Sequence, residues 1–251
     1  MKREKLLEFL TYKLQPDLFK DYAPNGLQVA GSEKINKIIT GVSANQALID
    51  AAISHGADTL LVHHGFFWKG EDPRIIGVKR NRLKALLQHN INLIAYHLPL
   101  DAHDEFGNNV ELARLLGIVL HGNASCGEKP SLTFYGDFEQ QLTGDELAEL
   151  IETKLGRKPL YISGGKNKIK KVAWCTGAAQ DFIEPLALQG FDAYITGEIS
   201  ERTVALAHEL GVHFYAAGHH ATERYGIKAL GERIAEEFGV SVSFIDIDNP
   251  V

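Results

Sequence analysis

One stretch of this chain is written twice. KIITGVSANQALIDAAISHGADTLLVHH (37–64) can be laid on KVAWCTGAAQDFIEPLALQGFDAYITGE (171–198) at a constant offset of 134. The shift matches Lys37 with Lys171, Gln46 with Gln180, Ile49 with Ile183, Asp50 with Glu184, Gly56 with Gly190 and Asp58 with Asp192. Shared periodicity accounts for the apolar matches; the polar ones point to common ancestry. Each copy reads as strand, helix, strand, and TLLV (59–62) is apolar throughout, as in a strand covered on both faces of a parallel sheet. The expectation is an α/β fold of two similar lobes with mainly parallel sheets. HGNASCGEKPS (121–131) turns small, polar and turn-forming, which sets the expected boundary between a lobe of residues 1–124 and one of 125–251.

Further elements follow from local signals. Leu6, Leu7, Leu10 and Leu14 form one stripe of a helix over 2–14. Asn108 is expected to cap a helix that Gly117 stops, and Thr222 to cap a helix with Glu223 in its first turn. SGGKNK (163–168) lacks the GxxxxGK[ST] spacing of a phosphate cradle and reads as a loop.

In open α/β sheets, sites form beyond the carboxyl ends of strands. Four segments end there with unusual residues: VHH (62–64), YHLPLD (96–101), TGE (196–198) and AGHHATE (217–223). His97-x-x-x-Asp101 is echoed by His219-x-x-x-Glu223 at an offset of 122. Imidazoles mixed with carboxylates are the donors that first-row divalent metals prefer, so these segments together predict a metal site. Adjacent strand residues point to opposite sides, which predicts one ion for His63 and another for His64, with Asp101 or Glu223 available as a bridge. His63 and His219 are expected to face a wet cleft. Phe66, Phe67 and Trp68 are expected mainly as packing, with the walls of the site as the other reading. The basic face of Lys79, Arg80, Arg82 and Lys84 reads as solvated.

Composition narrows the partners. The net charge of −6 supplies no basic field for sequence-blind nucleic-acid binding. Cys126 and Cys175, 49 positions apart and without a CxxC, offer neither a zinc knuckle nor a disulfide framework, so ligands should be nitrogen and oxygen. MKREKLLEFLTYKL lacks the apolar core of a signal peptide, and no stretch approaches a membrane span; a cytoplasmic protein is expected.

PNGLQV, GADTLLVHHGFFWKG, HLPLDAH and GHHATERYGIKAL resemble the signature segments of the NIF-three-like family, whose bacterial members are labelled GTP cyclohydrolase I type 2 homologs. The similarity runs from about residue 21 to the end of the chain. It implies two interlocked α/β lobes with a dinuclear metal centre between them, assembled as a toroidal homohexamer. By motif, the implied ligands are His63, His64, Asp101, His219 and Glu223, the last as a bridge, holding two divalent ions per subunit (iron, manganese, zinc, cobalt or nickel). His97 and His220 are then neighbours of ligands and candidates for moving protons near neutral pH. Only a short connection stands where longer relatives carry an additional central domain. Two functions compete: a metal-dependent hydrolase acting on a nucleotide or related small molecule, and a non-catalytic metal-binding ring or nucleic-acid-associated module.

Overall fold

The computed structural model describes residues 1–127 and 129–251, so that Glu128, inside the expected junction, lies outside the described residues. Contacts divide the chain into one unit of Met1–Leu100 with Gly226–Asp248 and another of Asp101–Tyr225 with Asn249–Val251.

The first unit begins with α1 (Arg3–Leu14), which buries Leu6, Leu10 and Leu14, four residues apart on one face. β1 (Gly26–Val29), β2 (Lys37–Ser43), α2 (Gln46–Ser54), β3 (Thr59–His64), α3 (Gly77–Gln88) and β4 (Asn92–Ala95) follow, and α4 (Leu98–Asp101) is a single turn at the unit's edge. The second unit contains α5 (Asn108–Leu116), β5 (Val119–Asn123), β6 (Phe134–Leu142), α6 (Gly144–Leu155), β7 (Leu160–Ile162), β8 (Ile169–Cys175), α7 (Ile183–Leu188), β9 (Ala193–Thr196), α8 (Glu201–Leu210), β10 (His213–Ala216) and α9 (His219–Thr222). Within α10 (Arg224–Phe238) the chain returns to the first unit, where β11 (Ser241–Phe244) adds the last strand. Among the described residues, no helix is long and apolar enough to cross a membrane.

The five-stranded sheet runs β1-β4-β3-β2-β11, parallel except for β1. The six-stranded sheet runs β5-β6-β8-β9-β10-β7; β8, β9 and β10 are parallel, and the other pairings are antiparallel. Both sheets therefore contain the same four-strand order, β1-β4-β3-β2 in one and β7-β10-β9-β8 in the other. Strand alternation covers the second sheet on both faces. Val172, Trp174, Ile195 and Tyr215 pack with α5 and α6, while Ala173, Cys175, Tyr194 and Phe214 pack with α7 and α8.

The duplication extends to hydrogen bonds. Asp58 Oδ2 accepts from the N–H groups of Asn36 and Lys37 at 2.8 and 3.3 Å. Asp192 Oδ2 accepts from those of Lys170 and Lys171, each 134 positions on, at 3.0 and 2.8 Å. In each unit an aspartate entering the second strand thus fixes where the first begins.

Two expectations differ from the structure. A boundary at 124/125 would put residues 226–248 in the second lobe, yet they belong to the first. The reason is that β11 pairs in parallel with β2, and Gly231 lets α10 lie against Thr40 and Val242. The small polar stretch expected as a junction instead begins as β5, the edge partner of β6. Asn108 is not a cap either: Gly107 holds that place, and the Asn108 side chain turns inward to Asp101.

Because the two aspartate clamps are equivalent, Asp58→Ala and Asp192→Ala should each cost about 1.5–3 kcal/mol, the range for hydrogen bonds to a charged acceptor. Urea melts check this; a loss at one position only would show that the repeated contact is not a repeated constraint.

Candidate metal centre

In the first unit, β3 loses its neighbour where β4 stops. Val62 is the last residue of β3 paired with β4, opposite Ala95, and Tyr96 N–H still donates to Val62 O. One residue on, the His63 ring takes over from the backbone: its Nδ1–H donates to Tyr96 O at 2.9 Å. His64 Nδ1 lies 3.1 Å from Ser43 Oγ. His97, just past β4, has Nδ1 2.9 Å from Asp21 Oδ1, with both side chains almost wholly buried.

Asp21 is the organiser here. It also accepts from the N–H groups of Ala23 and Leu98 and from Asn25 Nδ2, each at 3.0 Å. Asn25 Oδ1 in turn accepts from His97 N–H at 2.8 Å. Burial pushes the Asp21 carboxyl up, but the hydrogen bond and charge of His97, with the Asn25 and Ala23 donors, outweigh it and hold the pKa at about 2.

The rings of His63 and His64 are 4.4 Å apart, and His97 lies 5.2 and 5.4 Å from them. One ring nitrogen of each lies within 4.8 Å of the other two. The sheet has ended on one side of the pair, so the two rings approach each other although they leave adjacent strand positions. His63 is fully buried, so it does not face the wet cleft expected of it. The aromatic triplet splits. Phe66 enters the core with Arg82 over its ring, Phe67 stacks on it, and Trp68 sits beside His64 and His97 at 5.9 and 5.6 Å. Tyr22 stacks on Trp68.

In the second unit, Asp101 ends α4 and is buried. Its Oδ1 accepts from Asn108 Nδ2 at 2.8 Å and Thr176 Oγ1 at 3.2 Å, while Asn109 bridges the Asp101 carbonyl and Thr176 N–H. His219 opens α9 with Nδ1 2.7 Å from Glu198 Oε1 and Nε2 3.2 Å from Glu223 Oε2. Thr222 does not cap α10: its hydroxyl bonds back to Gly218 O and His219 O and accepts from Gly177 N–H. His220 is buried and donates its N–H to Val251 O. Two glycines permit this packing. A Cβ on Gly177 would sit 2.3 Å from Glu223 Oε1, and one on Gly197 2.7 Å from His219 Cα.

The chemistry of this donor set fits a divalent ion. Asp101 and Glu223 are 6% and 2% exposed, with carboxylate oxygens within 4.8 Å of each other. Two carboxylates that close and out of water need a compensating positive charge. Without metal, His219 supplies part of it. Burial pulls its pKa down, yet the hydrogen bonds and charges of Glu223 and Glu198 outweigh that and raise it from 6.5 to about 9. Of the five expected ligands, His63 and His64 meet in the first unit, and in the second Glu223 lies beside both Asp101 and His219. Sequence reasoning placed Glu198 only within the TGE strand end and gave no role to Asp21 or Asn25. Their signal was a carboxylate or amide near PNG and the acid of the TGE strand end.

A sequence model of the Duf34/NIF3 (NGG1p interacting factor 3) family matches residues 1–250. A protein of Escherichia coli strain K12 named GTP cyclohydrolase 1 type 2 homolog is 54% identical over 251 residues, covering all of both chains. A solved structure described as protein ybgI, unknown function, superposes with a TM-score of 0.96 at 53% identity, and TTHA1606 from Thermus thermophilus with 0.90 at 33%, each covering both chains fully.

In the metal-free protein His219 should titrate near 9, as followed by its imidazole NMR signals. Its pKa is higher in the folded than in the unfolded state, so its stabilising contribution is complete below pH 6.5 and is lost as pH rises through about 9. Glu223→Gln should move the midpoint down. A wild-type midpoint near 6.5 would show that the carboxylates do not govern this ring.

Proposed function

The chain belongs to the Duf34/NIF3 family, and on that premise we propose that it is a metal-dependent hydrolase. In this reading His63, His64, Asp101, His219 and Glu223 hold two divalent ions per chain, and the substrate is a nucleotide or related small molecule. The observation that carries the reading is the pair of buried carboxylates, Asp101 and Glu223, set against His219. Such a pair is electrostatically costly unless a cation is part of the folded state. Divalent ions would supply Lewis acidity and make water a nucleophile at neutral pH. Imidazole and carboxylate donors accept iron, manganese, zinc, cobalt or nickel, with availability deciding among them.

The remaining steps fall to the protein. Glu198 orients His219 through Nδ1; Asn108 and Thr176 fix one Asp101 oxygen and so aim the other. Buried His220 is the group we assign to carry a proton. The rings of Trp68 and Tyr22, beside His64 and His97, suit a planar heterocycle. Relatives named GTP cyclohydrolase 1 type 2 homolog point to the same class of hydrolysis. The catalytic unit is proposed to be a cytoplasmic homohexamer. Ile75, Ile76, Val78 and Leu87, each more than half exposed in or just before α3, are apolar surface suited to a subunit contact.

Elemental analysis with a nucleotide and phosphoester panel tests the reading. Glu223→Gln keeps side-chain size and removes the charge, so bound metal should fall from about two ions per chain to one or fewer, with metal-dependent turnover abolished. Two tightly held ions in that variant would overturn the ligand assignment. Light scattering should give a hexamer; a monomer mass of 27.7 kDa would exclude the ring.

A further inference from the structure

We propose that the C-terminal end of α6 is the platform on which the His219–Glu223 segment is set, and that Arg157 and Arg224, which fasten that segment at its two ends, are positioning residues for the groups it carries. The assignment rests on the metal-binding reading above, and every residue in it belongs to the second unit.

α6 ends at Leu155, where Gly156, left-handed at φ 67°, stops it. The last carbonyls of a helix have no partner within it and must find one outside. Two of them are met from just beyond Glu223: Arg224 donates from Nη2 to Leu155 O, and the Tyr225 hydroxyl donates to Lys154 O at 3.3 Å. The guanidinium also complements the partial negative charge at a helix C-terminus. Arg157, two residues past α6, reaches the other end of the segment. It lies against Gly218, whose φ of 103° favours glycine and where a Cβ would stand 2.5 Å from Nη1. Its Nε–H donates to Pro250 O at 3.1 Å, and the neighbouring Val251 O accepts from His220 N–H at 3.0 Å. Arg157 thus touches main chain on both sides, and the tail it holds caps the turn that His219 opens.

Between these two fastenings lie His219 and Glu223, with Nε2 and Oε2 3.2 Å apart. A four-residue turn such as α9 has little stability of its own. Its direction is therefore set at its ends, and both ends lead to α6. Glu198 orients one ring; the two arginines orient the whole segment.

Zinc(II), titrated into metal-free full-length protein against a competing chelator, is the probe. Methionine keeps the length and apolar stem of arginine without its donors. Arg157→Met and Arg224→Met should each weaken zinc binding about 10-fold and together about 100-fold, the cost of losing partners that hold ligands in place. The sign of the change is informative, because on charge alone the loss of a nearby cation would tighten the hold on a divalent ion. Arg157→Lys and Arg224→Lys, which keep one donor, should recover part of the loss. Amide exchange supplies a readout that needs no metal. In zinc-free protein Arg157→Met should speed exchange of the His220 N–H roughly 5- to 10-fold, about one hydrogen bond's worth of protection, while amides of β8 and β9 stay as slow as in wild type. Unchanged or tighter zinc binding in a methionine variant that circular dichroism shows to be folded would overturn the assignment, as would unchanged His220 exchange. Where a methionine variant does not fold, the lysine form decides: weaker zinc binding than wild type supports the assignment, and equal binding overturns it. Wild type that binds no divalent ion would overturn the metal reading as well, whereas the other outcomes leave that reading standing.

Discussion

A carboxylate taken out of water must be given donors or a cation, and the loops beyond the strand ends are arranged around that requirement. Asp21 meets it with backbone N–H groups, an amide and an imidazole. Asp101 meets it for one oxygen with Asn108 and Thr176. Glu223 has His219 against it and Gly177 close enough that no side chain fits between. These contacts dictate where α4 and α9 stop, why α5 begins with two buried asparagines, and why Thr176 and Thr222 face inward. The sheets set the loops in place; the acids determine their shape.

Much of this was legible in residue order. The 134-residue offset found a duplication that recurs in strand order and in the matched Asp58 and Asp192 contacts, because a polar side chain that clamps a strand start survives as an identity. The glycine stop at Gly117 is a local signal and read well, whereas the caps expected at Asn108 and Thr222 did not form, because those side chains turn to Asp101 and back to Gly218 and His219. What escaped depends on distance along the chain. Nothing near residue 241 says that β11 will pair with β2, some 200 positions earlier, and so the boundary was misplaced. β7, three residues long, is too short for alternation to register.

Within the candidate site, donor types could be read and donor supports could not. His63, His64, Asp101, His219 and Glu223 stand out because imidazoles and acids follow apolar strands. Asp21 lies 76 positions from His97, in a segment whose proline and glycine speak only of a turn.

The first unit is discontinuous, and that has a bearing on how the protein is made. Residues 1–100 emerge early from a ribosome, but β2 has an uncovered edge until residues 241–244 are synthesised. Residues 101–225, nearly all of the second unit, are in hand before then. The order of synthesis and the order of completion are thus opposed: the half begun first is finished last, and until α10 and β11 arrive its parallel sheet offers an open strand to any extended chain nearby.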